Sequence, residues 1–149
     1  MNGLWFFGLS GVGKSFASKY LQKKKKKSVK VDGDMIRKFI SYDLDYTLRD
    51  RKEQVRRVSG IAKFLTHSDL FPIISTVYMN KKTLDECKKN KISVVEIKRN
   101  FKQIKNKSIY KNNTRNVVGI DIVLPNIKTK IIVNSGCKKF YKELNKLIK

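Results

Sequence analysis

Short apolar runs alternate with amphipathic stretches along this chain, and the alternation predicts strands separated by helices. Apolar runs that indicate buried strands lie at 4–7, 28–32, 71–77, 92–97 and 131–133. Apolar residues three and four positions apart, which indicate helices, recur at 14–22, 35–40, 50–66, 83–89 and 137–148. In the first helix, the residues expected to face the core are Phe16, Ala17, Tyr20 and Leu21. The alternation predicts an α/β fold with three layers, α/β/α, around a mostly parallel central sheet.

The length of 149 residues suits one compact domain spanning 1–149. The stretch from about 98 to 118 is polar, rich in lysine and weakly patterned, and we expect it to form a small lid. No apolar run approaches the roughly 18 residues that span a bilayer, so no membrane partner is expected. The run at 4–7 leads into a glycine-rich loop, which indicates a core strand and not a signal peptide. Cys87 and Cys137 lie outside metal-ligand spacing and indicate free thiols in a reducing cytoplasm.

The chain is strongly basic, with 35 Lys and Arg against 12 Asp and Glu and a net charge of +23. Such a balance is compatible with nucleic acid, an anionic membrane or a small anionic substrate as partner. The lysines are scattered over every segment, apart from an unbroken run at 23–27, and form no patch interleaved with aromatic residues. Charge alone therefore does not identify the partner. The motifs described below favour a small anionic nucleotide, with a basic nucleic-acid-binding protein as the alternative class; a homodimer stays open.

Residues 8–15 match the pattern G-x-x-x-x-G-K-[ST] at every fixed position, between a predicted buried strand and a predicted helix. This context is typical of P-loop NTPases, in which glycines let the backbone approach phosphates and successive N–H groups bind them. Lys14 is expected to reach the β- and γ-phosphates of ATP, and Ser15 to ligate Mg²⁺. The predicted nucleotide-binding residues are Gly8, Ser10, Gly11, Val12, Gly13, Lys14 and Ser15.

Two aspartates follow the second predicted strand, where the carboxyl ends of strands form the active crevice of open α/β sheets. Asp32 and Asp34 are candidate catalytic residues: one would hold Mg²⁺ through water, and the other would orient or deprotonate an attacking hydroxyl. A turn with solvated acids is the alternative interpretation. Lys14 is the third catalytic candidate, because its charge would neutralise the transferring phosphate.

Four arginines near this crevice are candidate anion ligands. Arg37 lies near the start of its helix and Arg51 opens the long helix, and we expect both to bind phosphate or sulfate. Arg56 and Arg57 are adjacent and diverge by about 100° on a helix, so they cannot both face one ligand, and their roles stay open. His67 lies at the end of the long helix, which explains it without a catalytic role.

The order of these motifs resembles the adenylylsulfate kinase family, P-loop enzymes that phosphorylate the 3′-hydroxyl of adenosine 5′-phosphosulfate. Residues 32–37 (D-G-D-M-I-R) resemble the family's D-G-D-N-V-R, and residues 3–11 resemble its first strand and P-loop. Further similar segments are 43–47, 50–58, 107–111 and 119–121. The resemblance implies ATP-dependent transfer to the 3′-hydroxyl of adenylyl sulfate, giving ADP and 3′-phosphoadenylyl sulfate (PAPS).

The resemblance also implies roles for individual residues. Arg37 and Arg51 would grip the phosphosulfate, and Tyr46 would pack against the substrate base. Gln54 stands where the family has a substrate-contacting asparagine, and Lys107 would be the lid lysine that approaches the transferring phosphate. With Asp34 added, the predicted substrate-binding residues are Asp34, Arg37, Tyr46, Arg51, Gln54 and Lys107.

The departures from the family pattern concern the substrate more than ATP. Met35 and Gln54 replace asparagines, and residues 77–80 have no match to the family's S-P-Y-R segment. Val117 and Val118 replace an aromatic residue and a threonine, which removes a ring that would stack on the base. Loss of base-contacting residues with retention of phosphate-contacting ones indicates a changed nucleotide. Cytidine diphosphoramidate, the substrate of a related kinase, is therefore the alternative acceptor.

Overall fold

A parallel sheet of five strands forms the centre of the molecule, in a computed structural model that describes residues 1–104, 110–111 and 115–148. The strands are β1 (Gly3–Phe7), β2 (Ser28–Asp32), β3 (Phe71–Ser75), β4 (Ile92–Lys98) and β5 (Lys130–Val133). Their order is β2-β3-β1-β4-β5, and each neighbouring pair in this sheet is parallel. The carboxyl ends of all five strands therefore lie along one edge, as an active crevice requires.

Helices cover both faces of the sheet. They are α1 (Lys14–Gln22), α2 (Gly33–Phe39), α3 (Leu48–His67), α4 (Lys81–Lys89) and α5 (Cys137–Asn145), and a 3₁₀ turn covers Phe101–Gln103. In β1, Leu4 and Phe6 point into the core that α1 and α5 share, whereas Trp5 and Phe7 point into the core of α3 and α4. This alternation of fully apolar positions buries the strand on both faces. The predicted three-layer α/β/α fold is confirmed.

Capping side chains explain why three helices begin earlier than the apolar period predicts. The carboxylate of Asp32 accepts from the N–H of Asp34, so α2 begins at Gly33. The hydroxyl of Thr47 accepts from the N–H of Asp50 at the start of α3, and Asn80 caps α4 in the same way. Such caps satisfy N–H groups that the helix itself leaves unpaired. At the other end of α3, exposed His67 contacts the carbonyl of Lys63, as expected for a helix-end residue.

Two further predictions are corrected by the structure. Phe16 was expected to face the core but is 45% exposed, because α1 turns Ala17 and Leu21 into the core and Phe16 toward the outer side of α5. The third strand ends at Ser75 instead of continuing to 77. The predicted lid at 98–118 lies partly outside the described residues. Its described flanks pack into the body, since Ile104 and Val118 are buried in the two cores.

None of the helices in the described ranges combines the length and the apolar composition that crossing a bilayer requires. Cys87 is buried and Cys137 is exposed, and both are free thiols. Burial raises the pKa of the Cys87 thiol to about 12. That thiol is therefore a packing group of the core rather than a nucleophile.

Candidate active site

Glycines at three positions give the loop between β1 and α1 its shape. Gly8, Gly11 and Gly13 have φ values of 136°, 80° and 108°, in the region that residues with a side chain rarely adopt. A Cβ atom on Gly8 would collide with the carbonyl oxygen of Ile97, and one on Gly13 would lie 2.6 Å from the side-chain nitrogen of Asn134. The loop is thus folded tightly against the ends of β4 and β5.

Lys14, the first residue of α1, is held inside this loop. Its side chain is 8% exposed, and Nζ donates to the carbonyl oxygen of Leu9 at 2.7 Å. Burial lowers the pKa of Lys14 to about 8, although the nearby charges of Asp34 and Asp32 raise it. An anion bound in the loop would therefore both pair with this ammonium and restore its pKa.

The loop opens onto a cavity of about 230 Å³. Of the predicted nucleotide-binding residues, those that line it are Ser10, Gly11, Gly13, Lys14 and Ser15. Asp32 and Asp34 also line it. Gly8 and Val12 are not among the lining residues: Val12 is buried in the core, and its carbonyl accepts from Asn134 Nδ2 at 2.8 Å. These two residues shape the loop through their backbone. We call this space the P-loop cavity.

A second cavity, of about 280 Å³, adjoins the first, and we call it the acceptor cavity. All the predicted substrate-binding residues that the structure describes line it: Asp34, Arg37, Tyr46, Arg51 and Gln54. Lys107 lies outside the described residues. Residues lining both cavities are Ser10, Asp34, Thr76 and Val77. The two cavities therefore share a wall, and Asp34 is the ionisable side chain in it.

Two arginines enclose the ring of Tyr46 in the acceptor cavity. The guanidinium carbons of Arg37 and Arg51 lie 4.6 and 5.5 Å from the ring centroid. Arg37 donates to the carbonyls of Leu44 and Asp45 at 3.1 and 2.7 Å. Both guanidinium groups thus face one small space, where an anionic ligand would meet them together.

Arg51 is the more deeply placed of the two, with 9% of its surface exposed. It donates to the carbonyls of Tyr46 and Asn116 at 3.0 and 2.7 Å. Burial, and then the charge of Arg37, lower the pKa of Arg51 below its usual value. A guanidinium stays charged even so. The pair is a concentrated positive charge that an anion would stabilise.

The side chain of Gln54 lines the acceptor cavity and has one hydrogen-bonded end and one unpaired end. Its Nε2 donates to the carbonyl of Gly33 at 3.0 Å, which assigns the orientation of the amide. Its Oε1 is buried and has no hydrogen-bond partner among the described residues. A buried acceptor left unpaired costs free energy, so a ligand with a donor at this position would gain affinity.

The two aspartates have different surroundings. Asp32 accepts from the N–H of Asp34 at 3.1 Å and pairs with Lys30 at 3.6 Å, and it lines the P-loop cavity. Asp34 lines both cavities. Asp34 is exposed and its N–H donates to Asp32, so the interpretation as a turn with solvated acids stays open. Its position in the wall shared by the two cavities is what makes it a candidate catalytic residue.

Arg56 and Arg57, left open by the sequence, point to other partners. Arg56 pairs with Glu53 at 2.7 Å, and Arg57 binds both carboxylate oxygens of Asp43 at 2.5 and 2.7 Å. Hydrogen bonds from Arg56 and Arg57 lower the pKa of Glu53 to about 2. Neither arginine lines the P-loop cavity or the acceptor cavity. Arg57 instead ties the segment before Tyr46 to α3.

Several residues that the sequence did not single out support the site. Asp121 accepts from the N–H groups of Asn116 and Val117 at 2.5 and 2.7 Å, and so closes a turn whose carbonyl at Asn116 binds Arg51. Although burial raises the pKa of Asp121, those N–H groups bring it below the usual value. Tyr110 donates to the carbonyl of Ser10 at 3.0 Å. The sequence signals for them were two segments similar to the family, 107–111, which contains Tyr110, and 119–121, which ends at Asp121.

Comparison with known proteins places the chain in a family. The adenylylsulphate kinase family model matches residues 2–121. The adenylyl-sulfate kinase of Halothermothrix orenii is 36% identical over 78 residues, which cover 50% of this chain and 42% of that protein. The adenylyl-sulfate kinase of Buchnera aphidicola is 37% identical over 87 residues, which cover 54% and 42%. The matched stretch thus spans about two fifths of the length of these relatives.

Solved structures with the same fold include kinases of several kinds. The structure of an APS kinase from Mycobacterium tuberculosis in complex with AMPPNP and APS has a TM-score of 0.80 at 20% identity and covers 99% of this chain and 95% of that one. A gluconokinase from Sinorhizobium meliloti has a TM-score of 0.64 at 12% identity, with 99% and 91% covered. These likenesses show the P-loop kinase fold. Because the family model matches well over half of its residues, the chain belongs to the adenylylsulphate kinase family.

Proposed function

We propose that this chain is an ATP-dependent kinase that phosphorylates the 3′-hydroxyl of adenylyl sulfate, giving PAPS and ADP. The observation that carries the proposal is the shared wall of the two cavities. A loop built for phosphates lies on one side, a pair of arginines lies on the other, and Asp34 lines both. A donor phosphate and an acceptor hydroxyl would therefore meet beside a carboxylate. Membership of the family and the names of its relatives supply the substrate.

On the donor side, the chain's own groups suit the triphosphate of ATP. The N–H groups of the loop and the N-terminus of α1 would bind phosphate oxygens. Lys14 would exchange its bond to the Leu9 carbonyl for one to a phosphate. The Ser15 hydroxyl and, through water, the Asp32 carboxylate would hold Mg²⁺, and both line the P-loop cavity with the oxygen donors that this ion prefers. When bound, Mg²⁺ would supply charge neutralisation at the phosphates.

On the acceptor side, Arg37 and Arg51 would bind the phosphosulfate and Tyr46 would contact the base. The acceptor hydroxyl would lie at Asp34, which would orient it and accept its proton as the oxygen attacks phosphorus. Gln54 would accept a hydrogen bond from the substrate through its unpaired Oε1. Lys107 is proposed to approach the transferring phosphate from the lid. The chemistry is then mainly positioning and charge stabilisation, as expected for phosphoryl transfer.

Cytidine diphosphoramidate is the second candidate acceptor. Its support is the position of the departures from the family pattern: Gln54, Val117 and Val118 all line the acceptor cavity. A valine wall offers a base an apolar surface without ring stacking. The phosphate-binding residues Arg37 and Arg51 are compatible with either ligand, because both ligands carry two adjacent anionic or polar phosphorus or sulfur groups.

The experiment is a coupled ADP-release assay of the purified chain with ATP and Mg²⁺. Adenylyl sulfate, cytidine diphosphoramidate and AMP are compared as acceptors, and the product is identified by mass spectrometry. We expect the strongest stimulation with adenylyl sulfate and PAPS as product. Stronger stimulation by cytidine diphosphoramidate would replace the acceptor and keep the reaction class. No stimulation by any of the three would contradict the proposed kinase.

Asp34→Asn tests the proposed position of the acceptor hydroxyl. We expect kcat to fall by about 10²- to 10³-fold, because the carboxylate that orients the hydroxyl is lost. The affinity for ATP should change little, since Lys14 and the loop remain. Asp85→Asn, an exposed pair with Lys88 on α4, is the matched control. Unchanged turnover of Asp34→Asn would exclude Asp34 as the base.

A further inference from the structure

A row of aromatic rings lies between α1 and α5 on the outer side of the molecule. The ring centroids of Phe16 and Tyr141 are 5.5 Å apart, and those of Tyr20 and Tyr141 are 4.5 Å apart. Phe16 and Tyr20 lie parallel to within 2° at 6.5 Å. Phe16 is 45% exposed, and Tyr20 and Tyr141 are half-buried. The rings thus form a fixed platform with one side in solvent.

Exposed lysines border this platform on both helices. On α1 and its last turn, Lys19, Lys23 and Lys24 lie within three or four positions of Phe16 or Tyr20. Lys24 also lies 4.6 Å above the Tyr20 ring and donates to Asn145 at 3.0 Å. On α5, Lys138 lies three positions before Tyr141 and borders its ring in the same way.

Acidic residues are scarce around these lysines. The sequence from 14 to 31 contains eight lysines and no Asp or Glu. On α5, the acidic residue is Glu143, which pairs with Lys146 at 2.6 Å. The sequence was expected to form no basic patch interleaved with aromatic residues. In the structure, α1 and α5 together place lysines beside these rings, a pairing that no single segment of the sequence contains.

We propose that this surface, the α1–α5 face, binds single-stranded nucleic acid without sequence preference. Its lysines would neutralise phosphates, and its rings would stack on unpaired bases, which are exposed only when the strand is single. The face is distinct from the proposed kinase reaction: its lysines do not line the P-loop cavity or the acceptor cavity. Phe16 borders the P-loop cavity, so a bound strand would lie next to the nucleotide.

A polynucleotide fits this face better than an anionic membrane does. Membrane-surface helices bury a wide apolar face containing several large side chains. Among the described residues of α1 and α5, Phe16 is the large apolar side chain that stands exposed. Tyr20 is held by Asn145, to which its hydroxyl donates at 3.0 Å, and so offers the surface of a packed ring rather than an inserting anchor.

The test measures binding of a fluorescent 20-nucleotide oligo-dT by anisotropy, at 50 and 200 mM salt. The triple variant Lys19→Gln, Lys23→Gln, Lys138→Gln removes charge from the α1–α5 face. Its matched control, Lys81→Gln, Lys82→Gln, Lys89→Gln, removes three exposed lysines from α4. We expect binding to weaken about 10- to 100-fold in the first variant, with a shallower salt slope, and little in the second. Equal losses in both would mean that overall charge binds the strand, and would overturn the proposal.

Tyr141→Leu separates stacking from charge. Its affinity for oligo-dT should fall about three- to tenfold with the salt slope unchanged. Duplex DNA of equal length should bind more weakly than oligo-dT, and vesicles containing anionic lipid should not compete. Tighter binding of the duplex or of the vesicles would overturn the proposal. A second experiment uses the unaltered chain and so does not depend on a variant that folds. A 4-thiothymidine oligonucleotide is photocrosslinked to the chain, and we expect the crosslinks in peptides of α1 and α5. Crosslinks only in other peptides would contradict the assignment.

Discussion

The P-loop cavity and the acceptor cavity share a wall but are built in different ways. The P-loop cavity is lined mainly by one short segment, 10–16, of which six residues contribute, and the groups proposed to bind phosphate there are mostly backbone N–H groups. The acceptor cavity is formed by side chains from separate segments: Arg37 on α2, Tyr46 in a loop, Arg51 and Gln54 on α3, and Val117 beyond the lid. The first site depends on local geometry and the second on tertiary packing.

This difference indicates which of the two cavities tolerates amino-acid substitutions. A backbone cradle is preserved as long as its glycines remain, because any other residue would strain φ or collide with β4 and β5. Long side chains such as Arg51 depend on distant partners, here the carbonyls of Tyr46 and Asn116. Three of the departures implied by the family resemblance, Gln54, Val117 and Val118, line the acceptor cavity. Substitutions in the acceptor cavity should therefore change binding of the acceptor and leave ATP binding unchanged, and substitutions in the P-loop cavity should leave acceptor binding unchanged.

Lys14→Ala, in the P-loop cavity, should have the largest effect of the substitutions that compare the two cavities. We expect kcat for ADP release to fall about 10³-fold or more, because the charge that neutralises the transferring phosphate is lost. Binding of adenylyl sulfate, measured by calorimetry, should be unchanged. Lys19→Ala, on the exposed side of the same helix, is the control and should retain activity. A loss of acceptor affinity in Lys14→Ala would show that the two cavities do not act separately.

Arg51→Ala tests the acceptor cavity. The KM for adenylyl sulfate should rise about 100-fold, as expected for loss of a charge-assisted contact to an anion. The Kd for ATP should stay the same, because Arg51 does not line the P-loop cavity. Arg56→Ala is the matched control on the same helix, since Arg56 pairs with Glu53 at the surface. If Arg51→Ala weakens ATP binding and Arg56→Ala does not, the proposed independence of the two cavities is contradicted.

The pH dependence of ATP binding reports on Lys14 in the P-loop cavity. The pKa of Lys14 is lowered to about 8, so the free protein loses this positive charge as pH rises through that value. Bound phosphate favours the charged form, and the affinity for ATP should fall about tenfold between pH 7 and pH 9. Calorimetry at constant ionic strength and Mg²⁺ measures this. Lys14→Arg, which stays charged, should give a flat profile; a flat profile in the unaltered chain would contradict the lowered pKa.

Asp121→Asn should have the smallest effect. The turn that presents the Asn116 carbonyl to Arg51 loses its charge-assisted hydrogen bonds, and the KM for adenylyl sulfate should rise about fivefold. The kcat and the affinity for ATP should hold. In the Arg51→Ala background the same change should add little, because Asp121 acts through Arg51. Additive losses in the double variant would mean that Asp121 has a separate structural role.

The sequence reveals one cavity more fully than the other. The fold and the P-loop could be predicted because apolar period and a contiguous motif are local properties. Of the five predicted residues that line the acceptor cavity, Asp34, Arg37 and Arg51 could be named from their places at a strand end and at helix starts, whereas Tyr46 and Gln54 could be named only through a family resemblance. Residues 34 and 54 are brought together by the packing of α2 against α3. Lys107 stays a prediction.

Contacts between segments far apart in the sequence could not be predicted from the pattern of any one segment. Asn134 supports the loop through the Val12 carbonyl, across 122 positions of sequence. The exposure of Phe16 was not predicted, because the spacing of apolar residues does not show whether a side chain packs in the core or against a neighbouring helix at the surface, here α5. The positions of Asp43 and Arg57 depend likewise on a loop returning to α3. No pattern within one segment contains these pairings.

The single tryptophan of the chain offers an optical probe of the crevice. Trp5 is fully buried in β1, and its indole N–H donates to the hydroxyl of Thr76 at 2.8 Å. Thr76 in turn lines both cavities. Indole emission shifts in wavelength and yield when its hydrogen bonding changes. Intrinsic fluorescence, free of any second emitter of this type, would therefore follow the arrival of either ligand in real time without a label.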